Sequence, residues 1–134
     1  MNTVLDEAAR IKYQDPGTVR TILSTTKTIA MVGLSPKSER PSHFVATYLK
    51  YEGYRVIPVN PMAKEVLGET SCPDLLSVPD KIDMVNVFRH PDECPEIARQ
   101  AAQIGAKTLW LQLRGVSLEA ARIAEGAGLN GITD

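Results

Sequence analysis

A basic excess is missing from this chain: 15 Lys and Arg stand against 16 Asp and Glu, for a net charge of −1. Domains built to grip nucleic acid usually show the opposite balance, although a small local basic site for a phosphate stays open. Long apolar runs are missing as well. Nothing approaches the roughly 18–20 residues that span a bilayer, which argues against a membrane partner. The start, Met1-Asn2-Thr3-Val4-Leu5-Asp6-Glu7, lacks the basic-then-apolar layout of a signal peptide. Cysteine is scarce, and Cys72 and Cys94 form no CxxC pair. Reduced thiols and a cytoplasmic location are therefore expected. The nine Gly and nine Pro are scattered, without repeat, linker or low-complexity tract, which excludes collagen-like, disordered and coiled-coil classes. What remains is 134 residues with 43% apolar content. That suits one domain over residues 1–134, able to bury roughly two-thirds of its unfolded surface.

The apolar pattern alternates between two periods. Asp15-Pro16-Gly17 opens a helix, with Asp15 as N-cap and Val19, Ile22 and Leu23 as its apolar stripe; residues 4–13 are read as a further short helix. Thr28 to Gly33 is a short apolar run that predicts a buried strand. A helix through Phe44–Leu49 follows, then a strand from Tyr54 to Val59 closed by Asn60-Pro61. Pro58 cannot donate to a sheet ladder, so a local irregularity is expected there. Ile82–Phe88, Lys107–Gln112 and Leu129–Thr133 predict three more strands, separated by helices from Pro91 to Ile104 and from Ser117 to about Gly126. Strand–helix alternation of this kind calls for an α/β fold: a Rossmann-like, doubly wound parallel sheet of about five strands with helices on both faces.

In such sheets ligands bind beyond the carboxyl ends of the strands. The first strand delivers Gly33 to that edge, followed by Ser35, Lys37, Ser38, Arg40, Pro41 and Ser42 before a helix. Hydroxyls, cations and free backbone N–H groups at a helix start together suit a phosphate or pyrophosphate. A solvated loop with an ordinary helix cap is the plainer alternative. A dinucleotide fingerprint G-x-G-x-x-G is absent, since Ser35 and Ser38 stand where its later glycines would fall. The second strand ends in Asn60-Pro61 rather than in the acid that holds ribose hydroxyls, with Lys64 nearby. This disfavours NAD and tolerates a phosphorylated ribose. The third strand ends in Phe88-Arg89-His90-Pro91, which could line an adenine or a pantetheine arm, or simply turn the chain into its helix. Trp110 is read as a core residue, and Gln112 as a cleft or loop residue. No G-x-S-x-G, P-loop or metal-ligand spacing occurs. His43 reads as a helix-start residue, and His90 is the better of two poor acid–base candidates. Cys72 and Cys94 read as packing residues. No catalytic residue is assigned.

Taken together these blocks resemble the small stand-alone CoA-binding proteins of bacteria and archaea, whose domain is similar to the CoA-binding N-terminal domain of the succinyl-CoA synthetase alpha subunit. The match runs through Val32-Gly33-Leu34-Ser35, Arg40-Pro41-Ser42, Val59-Asn60-Pro61 with Gly68, Phe88-Arg89 with Pro91, and Gly105-Ala106-Lys107 with Trp110-Leu111-Gln112. The resemblance implies binding of coenzyme A or an acyl-CoA as a small-molecule ligand. It assigns the diphosphate to Gly33, Ser35, Ser38, Arg40 and Ser42, with Pro41 in the same block. It assigns the adenosine and its ribose phosphate to Asn60, Pro61 and Lys64, and the nucleotide–pantetheine border to Phe88, Arg89 and Pro91. The synthetase's phosphohistidine segment and its nucleotide-grasping partner have no counterpart here, so ligase activity is not implied. Alternatives are an acyl-CoA- or NAD(P)-dependent enzyme using His90, or a CoA-binding subunit of a synthetase-like assembly. Tyr13, Tyr48 and Tyr51 offer either a homodimer contact or packing within the chain.

Overall fold

Pro16 and Pro41 each stand at the first position of a helix, where a missing N–H costs nothing. Helix α1 (Pro16–Thr25) leads into β1 (Thr28–Val32), and α2 (Pro41–Tyr51) into β2 (Arg55–Val59). A small hairpin of β3 (Glu65–Val66) and β4 (Glu69–Thr70) comes next, then β5 (Met84–Val87), α3 (Cys94–Gln103), β6 (Thr108–Leu111), α4 (Leu118–Gly126) and β7 (Asn130–Thr133). This computed structural model describes residues 16–112 and 117–133. The helix expected over 4–13, the Asp15 cap and Tyr13 lie outside them.

The main sheet has five strands in the order β2-β1-β5-β6-β7, and every neighbouring pair is parallel. The chain leaves β1 for β2 on one side and then returns to β5 on the other. Strand order therefore reverses between β1 and β5, whose carboxyl ends deliver Gly33 and Phe88 to the same edge. This is the doubly wound fold that the alternation of strands and helices implied.

Residue alternation sorts the core into two layers. Ile29, Met31, Val56, Met84 and Ile132 pack with Ile22 of α1 and with Ala46 and Leu49 of α2. Ala30, Ile57, Val85, Val87, Leu109 and Leu111 pack on the opposite face with Ala98 and Ala101 of α3 and Ala120 and Ala124 of α4. Alanines on the helices let α3 and α4 lie close to the strands. Trp110 packs in the first layer, as its core reading required. Trp110 is half-buried and its register neighbour Asn86 is buried, and neither the indole Nε1 nor Asn86 Oδ1 has a hydrogen-bond partner among the described residues.

Pro58 corrects one expectation. Strand β2 runs unbroken through it, paired with Met31. β2 is an edge strand, and the Pro58 backbone faces outward, where its carbonyl accepts the Cys72 N–H (3.0 Å). The missing donor falls on the side away from β1, where no ladder bond is lost.

At the opposite, amino edge of the sheet, Asp83 joins three strands. Asp83 Oδ2 accepts the N–H groups of Lys27 and Thr28, both at 3.0 Å, and its carbonyl accepts Lys107 N–H at 2.9 Å. Among the described residues, no helix is long and apolar enough to cross a membrane, and no group of three or more His, Cys, Asp or Glu could hold a metal ion.

Candidate ligand site

Gly33 ends β1 with φ +88°, in the left-handed region that favours glycine. Its N–H donates to the Val59 carbonyl (2.9 Å), while the Phe88 N–H donates to the Val32 carbonyl (2.8 Å). The turn is thereby laced to strands on both sides. A Cβ at Gly33 would collide with the Phe88 carbonyl oxygen and lie 2.8 Å from Arg89 Cδ. Only glycine lets β1 and β5 close together here.

The loop that follows is braced internally. The Ser35 N–H donates to the Ser42 hydroxyl (3.0 Å), and the Lys37 N–H to the Ser35 hydroxyl (3.1 Å). Asn60 ties the neighbouring loop to it: Nδ2 donates to the Leu34 carbonyl (2.9 Å), and Oδ1 accepts the Met62 N–H (2.8 Å). Asn60 is thus a brace whose amide is already engaged. Arg40 is the N-cap residue of α2, yet its side chain makes no cap bond. Neither Lys37 nor Arg40 has an ion-pair partner among the described residues.

These segments enclose an open cleft of about 600 Å³. Among the residues expected at the site, Gly33, Ser35, Arg40, Pro41, Ser42, Asn60, Phe88 and Arg89 line it. Pro36, Lys37 and Met62 line it too; Lys37 was read as a loop cation, but the resemblance assigned it no role. A smaller cavity of about 190 Å³ adjoins on the α3 side and shares Gly33, Asn60 and Arg89 with the cleft. Pro61 lies there, with apolar walls from Val32, Pro73, Leu75 and Ile97 and polar groups from Asp74, Glu93 and Gln100.

Three expected residues line neither cavity. Ser38 and Lys64 are exposed, and the Lys64 carbonyl accepts the Ser71 N–H (2.9 Å). Pro91 is buried as the first residue of a 3-10 turn, Pro91–Glu93. Sequence reading also missed Asp74 and Glu93. The end of β2 is non-acidic, yet two carboxylates reach the cavity beside it from distant parts of the chain. The i,i+4 spacing of Arg89 and Glu93 was the available signal for one of them.

None of His90, Gln112, Cys72 and Cys94 lines either cavity. His90 Nδ1 accepts the Asp92 N–H (3.2 Å) and caps the 3-10 turn. Burial, reinforced by the Glu93 charge, pushes the Cys94 thiol up to about 11. Burial and the charges of Asp80 and Asp74 also raise Cys72. Tyr48 and Tyr51 stand exposed with Phe44 on α2.

A parallel sheet with a glycine-closed cleft at its strand-order reversal defines a Rossmann-like α/β domain. The chain belongs to the CoA binding domain family, whose model matches residues 27–134. It is 36% identical over 116 residues to the uncharacterized protein YneT of Bacillus subtilis (strain 168), covering 87% of this chain and 86% of that protein. It is 31% identical over 101 residues to an ADP-forming acetate–CoA ligase II of Archaeoglobus fulgidus; the match covers 74% of this chain and 15% of the ligase. A hypothetical protein from Pyrococcus horikoshii OT3 superposes with a TM-score of 0.85 at 42% identity, over 88% of this chain and 83% of its own. Membership and fold thus agree with the resemblance drawn from the strand-end blocks.

Proposed function

We propose that the chain acts as one domain that binds coenzyme A or an acyl-CoA at the carboxyl edge of its parallel sheet. The observation that carries this is the meeting in one cleft of Gly33, at positive φ, with Lys37 and Arg40, cations that have no ion-pair partner among the described residues. In this reading the diphosphate lies along the loop after β1, against Lys37, Arg40 and the start of α2. The adenine enters the smaller cavity between Pro61, Leu75 and Ile97, and Phe88 borders the pantetheine arm. Ser42 and Asn60 hold the loops in place. Lys64 reaches a ribose phosphate only from outside both cavities.

Binding without catalysis is the favoured activity, because His90, the better of the two acid–base candidates, caps a turn outside both cavities. The ligase relative supports a second reading, in which the domain supplies CoA binding to a synthetase-like assembly. A homodimer would use the exposed Phe44, Tyr48 and Tyr51 face of α2. A cytoplasmic location stays part of the proposal.

Isothermal titration with CoA, NAD, NADP and ATP tests the reading. Selective binding of CoA near micromolar strength, about −8 kcal/mol, is the expected result. Equal or tighter binding of NADP would overturn it in favour of an oxidoreductase.

A further inference from the structure

Arg89 lines both cavities and Glu93 lines only the smaller one. The two are joined by a forked contact: Arg89 Nε lies 3.2 Å and Nη2 2.7 Å from the same Glu93 Oε1. We infer that Glu93 is a positioning residue for the proposed ligand site, holding the Arg89 guanidinium as a fixed partition between the phosphate cleft and the base cavity. This rests on the CoA reading above and specifies how that site orients its ligand.

Both ends of Arg89 are held. Its stem crosses Gly33 so closely that a Cβ there would lie 2.8 Å from Cδ, and its head is gripped by Glu93. The backbone beneath Glu93 is fixed too, by buried Pro91 before it and buried Cys94 after it, with His90 capping the turn. Both partners are nearly half-exposed, at 46% and 45%, and such pairs contribute little to fold stability. Their placement in the wall shared by two cavities is what gives the pair a consequence.

A clamped guanidinium offers a planar face on which a purine stacks. Its pairing with Glu93 also leaves the unbalanced positive charge to Lys37 and Arg40, while Asp74 makes the smaller cavity unfavourable for a phosphate. Phosphates and base are thereby sorted to opposite sides of Arg89. A free Arg89 would follow the phosphates instead and blur that sorting.

The test is a double-mutant cycle on the full chain, titrated with CoA. Glu93→Gln keeps the shape and removes the charge, and Arg89→Met keeps most of the stem and removes the head. We expect Glu93→Gln to weaken CoA binding about tenfold, and the double variant to bind no more weakly than Arg89→Met alone. A second readout needs no ligand: the Arg89 Nε–Hε proton should exchange slowly with water in the parent and rapidly in Glu93→Gln. Unchanged or tighter CoA binding by Glu93→Gln would overturn the inference, since Glu93 would then be a bystander or a competitor for Arg89. Strictly additive losses would overturn it as well. Failure of the unsubstituted protein to bind CoA would overturn the site reading itself, and this inference with it.

Discussion

The buried Ser42 hydroxyl accepts the Ser35 N–H at 3.0 Å, which pins the loop after β1 to the first turn of the helix it leads into. The bond spans the segment that carries Lys37 and Arg40, so both cations sit on a loop closed at its base. Removing the acceptor in Ser42→Ala leaves a half-buried N–H without its partner. We expect a loss of about 1–2 kcal/mol of stability in urea denaturation. CoA affinity should also fall, although Ser42 need not touch the ligand. Unchanged stability would mean the loop is held elsewhere.

Gly33 and Gly53 both have positive φ, at +88° and +97°, but their surroundings differ. A Cβ at Gly53 meets nothing within 4 Å, whereas at Gly33 it collides with the Phe88 carbonyl. Gly53→Ala should therefore carry only the backbone cost, about 1–2 kcal/mol, and keep CoA binding. Gly33→Ala should be destabilised by clearly more and lose CoA binding even where it remains folded. Melting curves paired with titrations separate the two effects. Equal behaviour of the variants would show that close approach of β1 and β5 is not required.

Arg40 is exposed at the start of α2 and lines the cleft, with no ion-pair partner among the described residues. Arg40→Ala should leave the melting temperature nearly unchanged and weaken CoA binding by about 1.5–3 kcal/mol, the range for a charge-assisted bond. Lys37→Ala should weaken binding in the same direction. Both losses should shrink at high salt, where the remaining charges are screened. An unchanged dissociation constant for Arg40→Ala, with the fold intact, would remove it from the site.

The two thiols should differ in reactivity. Cys94 is buried and pushed up to about 11, so almost no thiolate forms near neutral pH. Cys72 is only half-buried, so its sulfur is the more accessible of the two, although burial and the charges of Asp80 and Asp74 push its thiol up as well. Limited alkylation with iodoacetamide followed by mass spectrometry should label Cys72 first and Cys94 only on unfolding. Labelling of Cys94 at the rate of a free thiol would contradict its placement under the start of α3.

Strands β1, β2, β5 and β6 were legible in the chain because their central residues are buried and read as short, mostly apolar runs. The loop after β1 stood out for a different reason, a strand end followed by hydroxyls, cations and a helix start, which is a pattern that an ordinary solvated loop also fits. The stretch from Glu65 to Ser77 was not legible. Its strands are two residues long, below any periodicity, and the hairpin turns on Leu67 at φ +52°, a conformation unusual for leucine. Pro58 suggested an irregularity within the strand because edge position depends on strand order, which no local pattern states. Asp74 and Glu93 escaped notice because they reach the smaller cavity through the packing of the Leu75 turn and of α3, not through nearness to a strand end in sequence.

Asp83 makes acid stability depend on the edge of the sheet away from the site. Partial burial opposes its ionisation, but the Thr28 and Lys27 N–H groups, with Lys107 and Lys81 nearby, outweigh it and hold the carboxyl below its usual value. The unfolded chain, with Asp83 near about 3.9, then binds the proton more readily than the folded one. Its stabilisation is therefore full above the unfolded value and is lost as pH falls through the lowered folded value. Denaturant titrations from neutral pH down to about 2 should show a steeper acid decline in the parent than in Asp83→Asn. At neutral pH the variant should already be less stable by about 1 kcal/mol, the weakening expected when two N–H donors lose a charged acceptor. Parallel acid limbs for the two proteins would show that Asp83 does not carry the charge that joins β1, β5 and β6.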